Sequence, residues 1–360
     1  MVYRQSVDGL GIIESRCLRL RFAGTLCQTG RLKKEINMAR LAFRRLLATI
    51  LAVACCAWAA SGAEPTARRP TGDDQLRFWL ENMLVEHRFG VAEVTAATGL
   101  SAEEVAAAVK RLGVNPAAKA PRASDAPLLV LPYPGGRHPR IGFLEGAIDP
   151  QRETKLSIFA PWDNGGYAVA DIPEAIWMQT AMGRQLLYLA HTHVPTIWTK
   201  QGMTLEPLEW KKTDDGWQVE RTLPNKVVFG TRARAARDHI LMEMWLMNGT
   251  DQTMQGLVVQ NCVMLKGLAG FEQQTNDNKL FRQPYVACHN AAKGRWIITA
   301  WEPCQRAWGN APCPCLHSDP KFPDCEPGKT VRLRGWLSFF QGSEIDNELN
   351  RISRLNWTEQ

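Results

Sequence analysis

His191-Thr192-His193 is the spacing in this chain that most directly offers chemistry. On a strand, residues two apart share a face, so both imidazoles would project the same way. Such a pair could serve as general acid and base near neutral pH, or share a metal. Two histidines satisfied by ordinary hydrogen bonds are the plainer alternative. Glu302, in Trp301-Glu302-Pro303-Cys304, would offer a carboxylate at a strand end beside a cysteine-rich loop. Asp277 lies in the polar run Glu272 to Lys279, flanked by Asn276 and Asn278. Such side chains hydrogen-bond sugar hydroxyls or coordinate calcium, although the EF-hand pattern is missing. His191, His193, Glu302 and Asp277 are the expected catalytic groups, and Asn276 and Asn278 the expected ligand contacts.

Twelve of the 13 tryptophans follow residue 63. A flat indole stacks on the apolar face of a sugar ring, whereas an indole within a strand is ordinarily core. Trp162, Trp198 and Trp308 fall in loop-like settings and are the expected platforms. A carbohydrate is therefore the expected partner.

Six cysteines follow residue 63: Cys262, Cys288, Cys304, Cys313, Cys315 and Cys325. An even number in an exported chain predicts disulfides. Cys315–Cys325 is the first choice, closing a loop of about 11 residues. The rival is a metal cluster from Cys313-Pro-Cys315-Leu-His317 with Cys325. Zinc sites usually separate paired cysteines by two to four residues, and here the gap is one. No metal ligand and no cofactor is assigned on that ground.

Export itself is read from residues 38–63. A basic stretch from Met38 to Arg45 precedes an apolar run from Leu46 to Ala60, then Ser61-Gly62-Ala63. Basic, apolar and small segments in that order form a secretory signal peptide. The apolar run is shorter than the roughly 20 residues of a membrane-spanning helix, so no span is expected after processing. Residues 1–37 read as an upstream extension, and the mature chain would begin at Glu64 in the periplasm or outside the cell. The formal charge of +7 belongs to the removed part: ten of the 43 Lys/Arg and three of the 36 Asp/Glu precede residue 64. The balanced remainder has no basic excess to neutralise phosphates, so nucleic acid is not an expected partner. No phosphate-binding glycine loop, G-x-S-x-G elbow or H-E-x-x-H helix occurs. Oligomeric state is not legible.

The elements that must position these groups are helical first and β afterwards. Residues 72–114 predict a small helical module. Leu76, Trp79, Leu80, Met83 and Leu84 form one stripe over Asp73 to His87, followed by helices over Val91 to Thr98 and Ala102 to Leu112. Ser101 with Glu104 reads as a capping box, and Gly113 as a stop. Residues 94–105 resemble the helix-turn-helix of bacterial regulators. Glu103 and Glu104 would stand where phosphate contacts are made, so a packing module is preferred. Residues 115–127 read as a Pro/Ala-rich linker.

Residues 128–343 predict an antiparallel β-sandwich from short strands with turns every 8–12 residues. His239 to Met247 is the plainest strand, with Ile240, Met242, Met244 and Leu246 on one face. Residues 344–356 predict a closing helix. The strand meander ending in Asn248-Gly249-Thr250 resembles the β-supersandwich of galactose-mutarotase-like proteins, and the layout is similar to a family of uncharacterised secreted bacterial proteins. The first resemblance implies a mainly β, supersandwich-like fold; neither assigns a catalytic residue. The expectation is an exported protein that binds or acts on carbohydrate by acid/base chemistry, against a non-catalytic envelope protein whose tryptophans are core.

Overall fold

The computed structural model describes residues 67–118, 122–123, 125–141, 152–190 and 194–360, all within the compact unit Thr66–Gln360. The signal peptide, the upstream extension, and His191 and His193 lie outside the described residues.

Three helices open the unit: α1 (Asp73–Leu80), α2 (Val91–Thr98) and α3 (Ala102–Leu112). A π-helical turn, Glu81–Glu86, extends α1. Ser101 caps α3 as expected, its hydroxyl accepting from the Glu104 N–H while Glu104 accepts from the Ser101 N–H. Gly99 and Gly113 end α2 and α3 in the left-handed conformation.

Fifteen strands then form two antiparallel sheets. The seven-stranded sheet contains β1 (Val130–Pro132), β2 (Lys155–Phe159), β3 (Tyr167–Thr180), β4 (Gly183–Leu189), β9 (Gln255–Met264), β13 (Cys304–Asn310) and β14 (Cys315–Pro320). Its order is β1-β2-β3-β9-β14-β13, with β4 also paired to β3. The eight-stranded sheet contains β5 (Lys211–Lys212), β6 (Gly216–Thr222), β7 (Val228–Ala235), β8 (His239–Met247), β10 (Lys279–Arg282), β11 (Tyr285–His289), β12 (Arg295–Glu302) and β15 (Thr330–Gln341). It runs β10-β11-β12-β15-β8-β7-β6-β5. The helix α4 (Ile345–Arg354) follows. The mainly β sandwich expected from the alternating pattern is the fold observed.

Side-chain alternation decides what each face buries. On β8, Ile240, Met242, Met244 and Leu246 are buried and enter the core between the sheets. They meet Ile158, Ala170, Ile176, Val259, Val263 and Leu316 of the seven-stranded sheet. Part of the outer face of the eight-stranded sheet, over β11, β12 and β15, is covered by α4, whose Leu349 and Ile352 pack with Trp296 and Trp336. The outer face of the seven-stranded sheet is covered at one end by the helical module. Trp79, Met83 and Val94 share a core with Tyr167, Val169, Cys262, Met264 and Cys315. Polar groups fasten that contact: Asn82 Nδ2 donates to the Pro132 carbonyl at 3.0 Å, and His87 Nε2 meets Ser157 Oγ at 2.7 Å.

The expected Cys315–Cys325 disulfide is absent, and all six described cysteines are free thiols. Cys315 packs in the outer core beneath the helices, whereas Cys325 lies in the core between the sheets. The seven-stranded sheet separates them, so nearness in sequence does not become nearness in space.

Candidate functional site

Strand register builds a polar ladder across the outer face of the seven-stranded sheet. Lys155 of β2 pairs with Asp171 of β3, Asp171 with Cys262 of β9, and His317 of β14 with Trp308 of β13. The β14–β9 register, Cys315 opposite Met264, carries the row from Cys262 to His317. Residues two along on each strand share this face, so Gln260, Asp319 and Arg306 form the adjoining row.

At the covered end the ladder is buried and ionic. Lys155 Nζ lies 3.1 Å from Asp171 Oδ2, with neither side chain exposed. Glu174 hydrogen-bonds Arg140, and its other oxygen accepts from Gln260 Nε2 at 2.8 Å. His317 stands in the middle. Its Nδ1 meets the Asn261 carbonyl at 2.7 Å, and its Nε2 meets Cys315 Sγ at 3.2 Å. A carbonyl only accepts, so in the neutral ring Nδ1 carries the proton and Nε2 turns its lone pair toward the thiols. Burial opposes the charged imidazole, but Cys262, Glu174 and Asp319 together raise its pKa.

The thiols cluster there. Ligand atoms of Cys262, Cys315 and His317 all lie within 4.8 Å of one another, and all three residues are buried. Cys313 is buried in the same core. Cys262 lowers the Cys315 pKa, while Cys313 and burial raise it, to about 12. Burial, followed by Cys315, holds Cys262 well above the ordinary thiol range.

At the open end the ladder becomes a cleft of about 460 Å³, lined by Trp177, Arg184, Val258, Val259, Gln260, Gln305, Arg306 and Asp319. The Arg184 guanidinium lies 4.5 Å from the Trp177 ring centre, and that of Arg306 lies 4.3 Å from Trp308. Asp319 is buried yet fully engaged. It accepts from Arg306 Nη2 at 2.9 Å, Trp308 Nε1 at 2.6 Å and the Asn261 N–H at 3.2 Å. Burial pushes its carboxyl up, against the pull of His317, Trp308 and Arg306. Burial and the neighbouring Arg306 charge hold Arg184 below its ordinary pKa, with Asp319 opposing.

Those expected site residues that are described are not gathered in this cleft. Trp198 is core: it is buried, and its Nε1 donates to the Leu187 carbonyl at 2.8 Å. Trp162 stacks on Phe271, meets Phe339 edge-on and lies under Arg295. Trp308 borders the site, but one face stacks on His317 at 3.9 Å and Arg306 covers it as well. None of the three offers the open platform expected. Glu302 Oε2 accepts from the Cys304 N–H at 3.2 Å, a local turn contact. Asp277 is exposed, and its N–H donates to Thr275 Oγ1. Asn276 bonds Gly309 and Lys279, and Asn278 bonds Gln273, so this loop is tied to itself and to β13.

One group of side chains that could hold a metal ion is present among the described residues. Cys315 and His317 do converge, as the rival reading had it, but with Cys262 in place of Cys325. Their one-residue spacing on a strand was the legible signal, because period two places both on one face. Trp177, Arg184, Gln260, Arg306 and Asp319 carried no sequence signal of their own.

No protein-family model matches the chain, and no curated protein matches it. Among solved structures, a polysaccharide lyase is 10% identical over 61% of this chain and 33% of that chain, at TM-score 0.34. A mutant of the heparan sulfate lyase HepC from Pedobacter heparinus is 9% identical over 38% and 21%, at TM-score 0.25. A candidate mutarotase, YeaD of Salmonella typhimurium, is 10% identical over 54% and 88%, at TM-score 0.29. The chain spans a third or less of the length of the two lyases. Likenesses at this level carry neither fold nor activity from those proteins to this chain.

Proposed function

We propose that this is an exported carbohydrate-binding protein whose ligand is an acidic saccharide, held in the cleft of Trp177, Arg184, Gln260, Arg306 and Asp319. The observation that supports the reading is a pair of guanidiniums lining one cleft beside a partly exposed indole. Asp319 offsets part of that charge and is already bonded to Arg306. An anion between the two arginines relieves the remaining repulsion and gains charge-assisted hydrogen bonds. Arg184 lies over one face of the Trp177 indole, and the exposed remainder of the ring is the apolar surface against which a sugar ring packs. Gln260 offers an amide for hydroxyls. Such a ring of polar groups around one aromatic surface is the usual composition of a small-ligand site.

Asp319 orients Arg306 in this reading, because its oxygens already accept three hydrogen bonds.

A glycan array carrying neutral, uronate-bearing and sulfated oligosaccharides tests the proposal. Selective binding of the charged set, weakened at least tenfold in Arg184→Gln, is expected. A flat response across the array overturns it in favour of the non-catalytic envelope protein. Substituting His191 or His193 with Ala should leave that binding in place if their role is chemical.

A further inference from the structure

We propose that Cys262, Cys313, Cys315 and His317 form a closed, four-ligand zinc site on the outer face of the seven-stranded sheet, beneath the helical module. This inference does not depend on the carbohydrate reading.

Two adjacent strands and one turn bring the ligands together. Cys262 comes from β9, and Cys315 and His317 come from β14, where period two puts both on the outer face. Cys313 comes from the turn just before β14. That turn is held by the Leu265 N–H donating to the Pro314 carbonyl at 2.9 Å. Tetrahedral zinc, with Zn–S of about 2.3 Å and Zn–N of about 2.0–2.1 Å, sets its ligands roughly 3.5–3.8 Å apart. The ligand atoms of Cys262, Cys315 and His317 lie within 4.8 Å of one another, and Cys315 Sγ is 3.2 Å from His317 Nε2. Cys313 stands outside this group of three but is buried in the same core two residues from Cys315, and its thiol must turn inward to complete the sphere.

Three further observations point the same way. The Asn261 carbonyl fixes His317 so that Nε2 faces the sulfurs, the arrangement by which outer partners orient metal-bound imidazoles. Three thiolates and one zinc ion carry a net negative charge. Arg140 is buried with its Nε 3.1 Å from Met264 Sδ, and Met264 lies opposite Cys315 in register, so a cation stands near the cluster. Finally, the thiols and the imidazole are all buried away from bulk solvent. Four protein ligands with no open position make a structural site rather than a catalytic one. Soft sulfur ligands select against calcium and magnesium. Binding displaces the thiol protons, so affinity falls as the solution is made acidic.

The test uses the full chain produced in zinc-supplemented medium, with metal measured by inductively coupled plasma mass spectrometry. About one zinc per chain is expected. Cys262→Ser and His317→Ala should each weaken zinc affinity at least tenfold in a chelator competition, and Cys304→Ser should leave it unchanged. If the ligand variants fail to fold, cobalt replaces zinc in the unsubstituted protein. Tetrahedral d–d bands with a thiolate charge-transfer band support the site. Zinc-free protein in which Cys262, Cys313 and Cys315 titrate as free thiols, a Cys262–Cys315 disulfide, or full zinc retention in Cys262→Ser overturns it.

Discussion

The Lys155 ammonium and the Asp171 carboxylate face each other at 3.1 Å across β2 and β3, both fully buried. Thr154 Oγ1 also donates to Asp171 at 2.8 Å. Removing one charge takes from the other its opposite charge where water does not reach. Lys155→Met should therefore cost about 3–5 kcal/mol. The double variant Lys155→Met/Asp171→Asn should recover most of it. Urea denaturation of the three proteins measures this, and a double variant no better than the single would show that the pair is not coupled.

His87 sets an acid limit on the docked helices. Burial, against the raising effect of its bond to Asn82, lowers its pKa from 6.5 to about 3, with the Arg137 charge adding to the lowering. Protons thus bind the unfolded chain first. Stability contributed by neutral His87 is present above pH 6.5 and is lost as pH falls toward 3, by up to about 1.4 kcal/mol per pH unit. Comparing denaturant midpoints between pH 7 and pH 4 should show a shallower decline in His87→Gln than in the parent. Equal slopes would assign the acid sensitivity to other groups.

Gly136 carries the close contact between the loop after β1 and α2. Its φ is +75°, and a Cβ there would come within 2.2 Å of the Glu93 carbonyl oxygen. Backbone must move, so Gly136→Ala should cost about 1–3 kcal/mol through overpacking. Gly294 has open space around it, and Gly294→Ala should stay within about 0.5 kcal/mol. Thermal melts of both variants give the comparison.

Two tryptophans separate packing from recognition. Trp198→Ala removes a buried indole and its hydrogen bond, and should cost about 3–5 kcal/mol in stability while sparing affinity for acidic oligosaccharide. Trp177 is only partly buried at the cleft, so Trp177→Ala should weaken binding tenfold or more with little change in melting temperature. Isothermal titration paired with melting curves distinguishes the two roles. The opposite pattern would move the ligand to the Trp198 side of the sheet.

Local signals were legible wherever one element supplied both signal and constraint. Ser101 and Glu104 announce the start of α3 because both halves of the capping box lie within four residues. Alternation on β8 announces its buried face because one strand sees one core. The long β3 was not anticipated: it is buried over most of its length, so it shows no inside–outside alternation to read.

The sites depended on pairing between distant strands. Cys315 and His317 could be read as neighbours on one face, but choosing Cys262 over Cys325 required the β9–β14 register and the two faces of a sheet. Likewise Arg184, Gln260 and Asp319 come from three different strands and meet only through cross-strand order. Sequence alone determined that helices precede strands and, for strands such as β8, which residues alternate into the core, because these are properties of contiguous residues. Tertiary structure alone decided which thiols, charges and indoles meet, because a sheet brings remote segments to within 5 Å while separating near ones by its thickness.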